Sequence, residues 1–377
     1  MPPLGLYIHI PWCVKKCPYC DFNSHNSPTE LPESKYVDSL IADLEQALPL
    51  IWGRTIRTIF IGGGTPSLFS PEAINKILQS VRSLTRLSPL AEITIEANPG
   101  TVDNEHIAGY HKIGVNRISF GVQSFNDKHL NALGRIHDSS AAINAITKAK
   151  KYFSQINLDI IYGLPNQTLN ELTEDINKAI SFDTTHLSFY NLTIEPNTEF
   201  NKKPPKNLPD NDLCYQMQDL IVSNLSNSGY RRYEVSAYAK ADNFCNHNLN
   251  YWQFGDYLGI GAGAHSKLSF HDKIIRQVRQ KHPKSYMNDV ASNKHIIENK
   301  TVTKDELPFE FMLNALRLNS GFATTLFVER TGLPLGTILN QLEMARQKGF
   351  LSLKDGKILP TIKGQDFLND LLLLFLD

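Results

Sequence analysis

Short apolar runs alternate with stretches of helical periodicity through the first half of the chain. Residues 4–10, 58–61, 92–96, 117–120, 158–162 and 186–191 are rich in β-branched and aromatic side chains and too short to be buried helices, so they predict strands. Between them, residues 34–48, 71–84, 139–152 and 169–181 repeat apolar positions at the spacing of an amphipathic helix, and Ser34 stands where an N-cap belongs. Strands separated by helices run parallel, because the helix carries the chain back across the sheet. Such a pattern fits a partial TIM-like barrel or a doubly wound open sheet.

The polar residues separate these two folds. The Cys13 to Cys20 loop, Gly62-Gly63-Gly64-Thr65-Pro66, Glu96-Ala97-Asn98-Pro99, Gln123-Ser124, and Asp159 near Tyr162-Gly163-Leu164-Pro165 lie toward the C-terminal ends of successive strands. A barrel gathers its site from that end of all its strands, whereas an open sheet concentrates ligand contacts at one switch point. The expected fold is α/β, a partial (β/α)6 TIM-like barrel over residues 1–200.

Beyond Pro196 the pattern changes. Residues 201–210 are rich in Pro, Lys and Asn and read as a surface excursion; 212–225 predicts a helix, 233–238 a strand, and 243–257 is strongly aromatic. Residues 267–300 are polar and locally basic, with Arg276, Arg279, Lys281 and Lys284 close together. Residues 201–300 are therefore expected to extend the barrel. From Thr303, three helical segments precede a hairpin at Asp355-Gly356, which predicts an α+β, winged-helix-like domain over 301–377. That region has no basic recognition stripe, so no nucleic-acid partner is expected. The apolar 371–375 run reads as a core-closing helix.

Composition narrows the classes further. The 377 residues carry 38 Lys plus Arg and 38 Asp plus Glu, so no overall charge draws the protein to nucleic acid or an acidic membrane. No signal peptide is evident and no apolar run is long enough to span a bilayer. With five cysteines, the chain is no disulfide-stapled scaffold, and a reducing cytoplasm suits exposed thiols.

Cys13, Cys17 and Cys20 stand at C-x3-C-x2-C spacing. Three thiolates are one ligand short of the closed set that fills a [4Fe–4S] cluster, and they leave one iron open. A zinc site would need a fourth ligand, but His25 gives a spacing unlike the usual fingers; Cys17-Pro18-Tyr19-Cys20 alone could be a thioredoxin-like pair, which leaves Cys13 unexplained. Gly62 to Pro66 lacks the Gly-Lys-Ser/Thr end of a P-loop, and the glycines of 259–265 have the wrong spacing for a dinucleotide loop. The second constellation is His247-Asn248-Leu249-Asn250-Tyr251-Trp252: imidazole is a good axial ligand for haem iron, and aromatic faces can cover a porphyrin. Read alone, it is an aromatic packing segment. Cys245 and Cys214 read as buried structural thiols.

The cysteine spacing, the GGGTP loop, the YGLP segment and the HNLNYW string together resemble the radical S-adenosylmethionine (SAM) enzymes, in their oxygen-independent coproporphyrinogen III oxidase-like branch. The resemblance implies a radical SAM barrel with a [4Fe–4S] cluster on Cys13, Cys17 and Cys20. It also implies SAM contacts from Tyr7, Phe22, Gly63, Gly64, Thr65, Glu96, Gln123, Arg135 and Asp159. The HNxxYW string is similar to that of haem-chaperone members of the branch, which implies haem binding at His247, Tyr251 and Trp252. Two departures from the oxidase, Asp21-Phe22 in place of a further cysteine and a first strand without a long preceding arm, favour the chaperone reading. The expected function is therefore delivery of haem to apo-haemoproteins such as membrane-bound respiratory enzymes. An electron donor would serve the cluster, and any membrane association would be peripheral, through partners. A homodimer is compatible with the sequence. The alternative is coproporphyrinogen III oxidation, a radical decarboxylation of propionates in porphyrin biosynthesis; the third class is a zinc-dependent nucleic-acid binder.

Overall fold

The computed structural model describes residues 1–376. Six parallel strands, β1 (Leu4–Ile10), β2 (Thr55–Gly63), β3 (Arg86–Ala97), β4 (Arg117–Gln123), β5 (Gln155–Tyr162) and β6 (His186–Asn191), pair in chain order. They are covered by helices that include α1 (Glu33–Ile51), α2 (Pro71–Leu84), α3 (Asn104–Lys112), α4 (Ser139–Ala149) and α5 (Leu169–Ser181). The (β/α)6 expectation is met. Antiparallel β7 (Tyr230–Arg232) and β8 (Ala237–Lys240) extend the sheet beyond β6. On the other side β9 (Asp256–Ile260) joins β1 in parallel, followed by antiparallel β10 (His265–Ser269), β11 (Ile274–Arg279) and β12 (Ile296–Thr301).

Side chains alternate across each strand, and the two faces differ sharply in polarity. Leu6, Ile8, Ile59, Ile61, Ile93, Ile95, Ile118, Phe120, Leu158 and Leu187 are buried in the main core. The intervening residues, among them Tyr7, Glu96, Ser119, Asn157, Asp159 and Ser188, border an internal cavity. Strand hydrophobicity thus goes into seating the helices, and the curved inner face is left polar and open. In this respect the fold departs from a TIM barrel with a side-chain-filled interior.

Where caps are strong, the predicted helix bounds hold. α2 is capped by Ser70 accepting from Ala73 N, and α5 by a reciprocal capping box between Thr168 and Glu171. Ser34 is not the cap of α1. The Pro32 carbonyl accepts the first helical N–H, from Tyr36 at 2.9 Å, so Ser34 lies within the first turn and is exposed. Of the expected 233–238 strand, 233–236 form the turn between β7 and β8, closed by Tyr233 N donating to Ala237 O at 3.1 Å, and Ala237 and Tyr238 open β8. Within the polar, locally basic residues 267–300, Lys267 and Arg279 are fully buried. Lys267 and Arg54 both bind Asp256, at 3.1 and 2.8 Å, while Arg279 and His295 meet Asp43 at 3.4 and 2.9 Å. Cys214, expected in the core, is only half-buried.

The C-terminal region builds a second core. Three helices (Leu307–Ala315, Thr324–Thr331, Leu339–Gln347) pack with a hairpin of Leu351–Lys354 and Lys357–Pro360, whose turn residues Asp355 and Gly356 have φ of 51° and 72°. This matches the winged-helix-like expectation. Leu371, Leu372 and Phe375 are buried in the same core. No helix among the described residues is long and apolar enough to cross a membrane.

Candidate functional site

β1 delivers the chain directly into the cysteine loop. Trp12–Cys13 pairs with His25–Asn26, and the loop is held by Ser27 N donating to Cys13 O (2.7 Å) and Cys20 N to Cys17 O (3.1 Å). Cys13, Cys17 and Cys20 are free, partly buried thiols that line one cavity of about 320 Å³ with Gly64, Thr65 and Arg135. Burial pushes the Cys13 and Cys20 thiols up. Arg135 Nη1 lies 3.5 Å from Cys17 Sγ, and Nη2 donates to Gly121 O at 2.8 Å. The His25 ring packs edge-on against His282 and does not border this cavity. Among the described residues, no group of three or more His, Cys, Asp or Glu side chains is gathered closely enough to hold a single metal ion.

The glycine loop is fastened against the same cysteine segment. Gly64 N donates to Ile10 O and Thr65 N to Trp12 O, both at 2.7 Å. Gly63 has φ 116°, and a Cβ there would lie 2.6 Å from the His9 ring, so both conformation and space require glycine. Its N–H donates to Glu96 Oε2 at 3.1 Å. Burial, then the nearby Asp159 charge, raises the Glu96 carboxyl to about 8. Part of Glu96 faces cavity space, but protein surrounds that space, so the carboxylate is poorly hydrated. Asp159 is likewise raised by burial, and accepts from Ser119 Oγ at 2.8 Å and Asn157 Nδ2 at 2.9 Å. Gln123 ends β4 with φ 71°, a strained value for a side-chain-bearing residue. The turn at 259–265 closes beside this end: Asn23 Nδ2 donates to Ala262 O at 2.9 Å and Lys281 O at 2.8 Å.

A larger cavity, about 800 Å³, runs from this end down the inside of the barrel. Cys20, Phe22, Gly63, Glu96 and Asp159 border both cavities, and Phe22 is 57% exposed at their junction. The far end is closed by α6 (Asn246–Trp252), which packs against β1, β2 and β9. Glu92 holds the start of this helix by accepting from Asn246 N at 3.0 Å and His247 N at 2.9 Å.

His247 is 1% exposed and borders the cavity. Its Nδ1 lies 2.8 Å from Thr58 Oγ1, its Nε2 lies 3.3 Å from Tyr251 OH, and its ring stacks on Phe60. Burial lowers the imidazole to about 3, so it is neutral. Tyr251 lines the cavity beside it; Trp252 does not. The Trp252 indole lies under the Arg317 guanidinium, 4.3 Å away, and packs toward the C-terminal region. Cys245 is buried, with its thiol pushed up to about 12 by burial and by Glu92.

The expected residues therefore form two groups at adjoining cavities: Phe22, Gly63, Gly64, Thr65, Glu96, Gln123, Arg135 and Asp159 with the three cysteines, and Tyr7 and Tyr251 with His247; Tyr7, expected among the SAM contacts, borders only the larger cavity and stacks on Phe60. Sequence reading missed Thr58, Phe60, Glu92, Arg117 and His186. The available signal was polar or aromatic residues at every second position within otherwise apolar strands.

Comparison with known proteins agrees with this geometry. Residues 7–179 match the model of the radical SAM superfamily, and 302–367 that of the HemN C-terminal domain. Heme chaperone HemW of Haemophilus influenzae is 47% identical, covering 100% of this chain and 98% of that protein. The Escherichia coli heme chaperone HemW is 46% identical (100% and 99% covered) and that of Bacillus subtilis 34% (98% of each). The solved coproporphyrinogen III oxidase HemN of Escherichia coli, a radical SAM enzyme, superposes with a TM-score of 0.85 over 99% of this chain and 90% of its own, at 23% identity, and so shares the fold. The chain belongs to the heme chaperone HemW family of the radical SAM superfamily.

Proposed function

We propose that this protein carries haem within the barrel cavity and passes it to apo-haemoproteins, membrane-bound respiratory enzymes among them. The carrying observation is that the cysteine loop and His247 border two adjoining cavities that share Cys20, Phe22, Gly63, Glu96 and Asp159 as wall residues. Three free thiols bordering one cavity beside a guanidinium are a donor set that suits an anionic iron–sulfur cluster, so Cys13, Cys17 and Cys20 would hold it. Held by three thiolates, such a cluster would keep one iron open for SAM and would supply one electron when reduced by a donor protein. Gly63, Gly64 and Thr65 would bind SAM through the close backbone of their loop. Glu96, Gln123 and Asp159 would orient its polar groups, and Tyr7 and Phe22 would screen it from water. Arg135 balances thiolate charge through Cys17.

At the far end, neutral His247 would bind haem iron and Tyr251 would flank the macrocycle. Trp252 would act from behind, holding the helix through Arg317. Residues 1–200 would act as the barrel, 201–300 as the haem-binding extension and 301–377 as a packing domain. The setting would be the cytoplasm, with recipients met at the membrane surface. The oxidase reading is less favoured, since Asp21-Phe22 stands where that enzyme has a further cysteine.

Anaerobic reconstitution with iron and sulfide, followed by haem titration and assays of SAM cleavage and coproporphyrinogen III turnover, tests this reading. Saturable haem binding without coproporphyrinogen conversion is expected. Absence of haem binding, or product formation rising with protein concentration, would overturn it.

A further inference from the structure

Arg117 opens β4 at the inner wall of the large cavity, 2% exposed, and makes no ion pair among the described residues. Its buried Nη1 has no hydrogen-bond partner. Thr94, directly in register on β3, is fully buried, and its Oγ1 is also without a partner. Paired positions on two neighbouring strands thus each hold an unpartnered polar atom, where nearly all buried polar atoms are normally paired; Arg117 borders the cavity and Thr94 lies behind its wall. The acids of this region are hydrogen-bonded to other groups, and Asp159, though near enough to feel the Arg117 charge, forms no ion pair with it among the described residues. Glu92 accepts from Asn246 and His247, and Asp159 from Ser119 and Asn157. His186, nearby, is held by Asn157 at 2.6 Å and Tyr233 at 2.8 Å.

A water molecule could satisfy a donor here but could not neutralise the guanidinium, and a buried cation strongly favours an anionic partner. The planar fork of arginine matches a carboxylate. The same cavity is bordered by the aromatic rings of Tyr7, Phe60, Tyr251 and Tyr257, which suit a flat apolar body. We propose that Arg117 anchors a carboxylate of the cavity's cargo. On the haem reading above, on which this inference rests, that group is a propionate. Arg117 would then set the orientation of the macrocycle relative to His247.

The test compares haem with its dimethyl ester, titrated into the reconstituted full chain by tryptophan quenching and Soret absorbance. The free acid is expected to bind at least about tenfold more tightly, as for a charge-assisted hydrogen bond. Arg117→Gln should abolish that preference, with circular dichroism unchanged, whereas His247→Ala should alter the Soret band and keep the preference. Equal affinity for acid and ester in the unaltered protein, or a preference that survives in R117Q, would overturn the inference while leaving haem carriage intact. Should R117Q not fold, Arg117→Met takes its place, and an acid-over-ester preference undiminished in that variant would overturn the inference. Binding of neither form would instead refute haem carriage itself.

Discussion

The hydroxyl of Thr58 lies 2.8 Å from Nδ1 of His247, across 189 residues of sequence. Gly5 makes room for this pair, since a Cβ there would stand 2.9 Å from Thr58 Oγ1 and 3.2 Å from the imidazole. The contact engages Nδ1 and leaves Nε2, with its looser 3.3 Å contact to Tyr251 OH, as the nitrogen able to exchange a hydroxyl for iron. Partners of a ligating histidine fix its tautomer and commonly govern metal affinity by about 10- to 100-fold. Thr58→Val should therefore weaken haem binding by about tenfold and broaden the Soret band, with the fold retained. Unchanged affinity and spectrum would assign the contact to packing alone.

Replacement of any one cluster thiol should remove most of the iron. Cys17→Ala is the sharpest case, because Arg135 then loses the sulfur it faces at 3.5 Å. After anaerobic reconstitution, iron and acid-labile sulfide should fall together, while haem binding at the opposite end is largely spared. Full iron content in C17A, or zinc without sulfide in the unaltered protein, would count against a cluster.

Glu96 predicts a pH-dependent stability. Its carboxyl is raised from 4.5 to about 8, so between those values the folded chain holds a proton that the unfolded chain releases. Stability is therefore lost as pH rises through this window; the cost is absent below 4.5 and fully present above about 8. Glu96→Gln mimics the protonated form. In protein without cluster, its unfolding free energy should exceed that of the unaltered chain by a margin that widens from about pH 5 to pH 8.5, reaching on the order of a few kcal/mol, as read by chemical denaturation. SAM affinity should fall in the same variant. A margin flat with pH would show that Glu96 does not titrate as argued.

Asp256 should be among the costliest single positions for stability. It is fully buried and accepts from Arg54 Nη2, Lys267 Nζ and both Ser269 N and Oγ, which joins the start of β9 to the base of β1. Asp256→Asn strands two buried cations, and breaking such a pair typically costs about 3–5 kcal/mol. Chemical denaturation should register a loss of that size; a change within about 0.5 kcal/mol, typical of surface substitutions, would contradict the network's role.

The α/β alternation, the helix bounds of Pro71–Leu84 and Leu169–Ser181, the cysteine spacing and the GGGTP loop were legible in the sequence. Each depends on residues within a few positions of one another: a cap, an apolar period or a local ligand spacing. Tertiary structure decided the rest. The pairing of β9 with β1, the burial of Lys267 and Arg279, and the meeting of Thr58 with His247 join residues far apart in the chain, and local periodicity carries no record of such partners. The HNLNYW string shows the division most plainly. Its residues could be read directly, but only the packing of a short helix against β1, β2 and β9 turns His247 and Tyr251 to the cavity and Trp252 to Arg317.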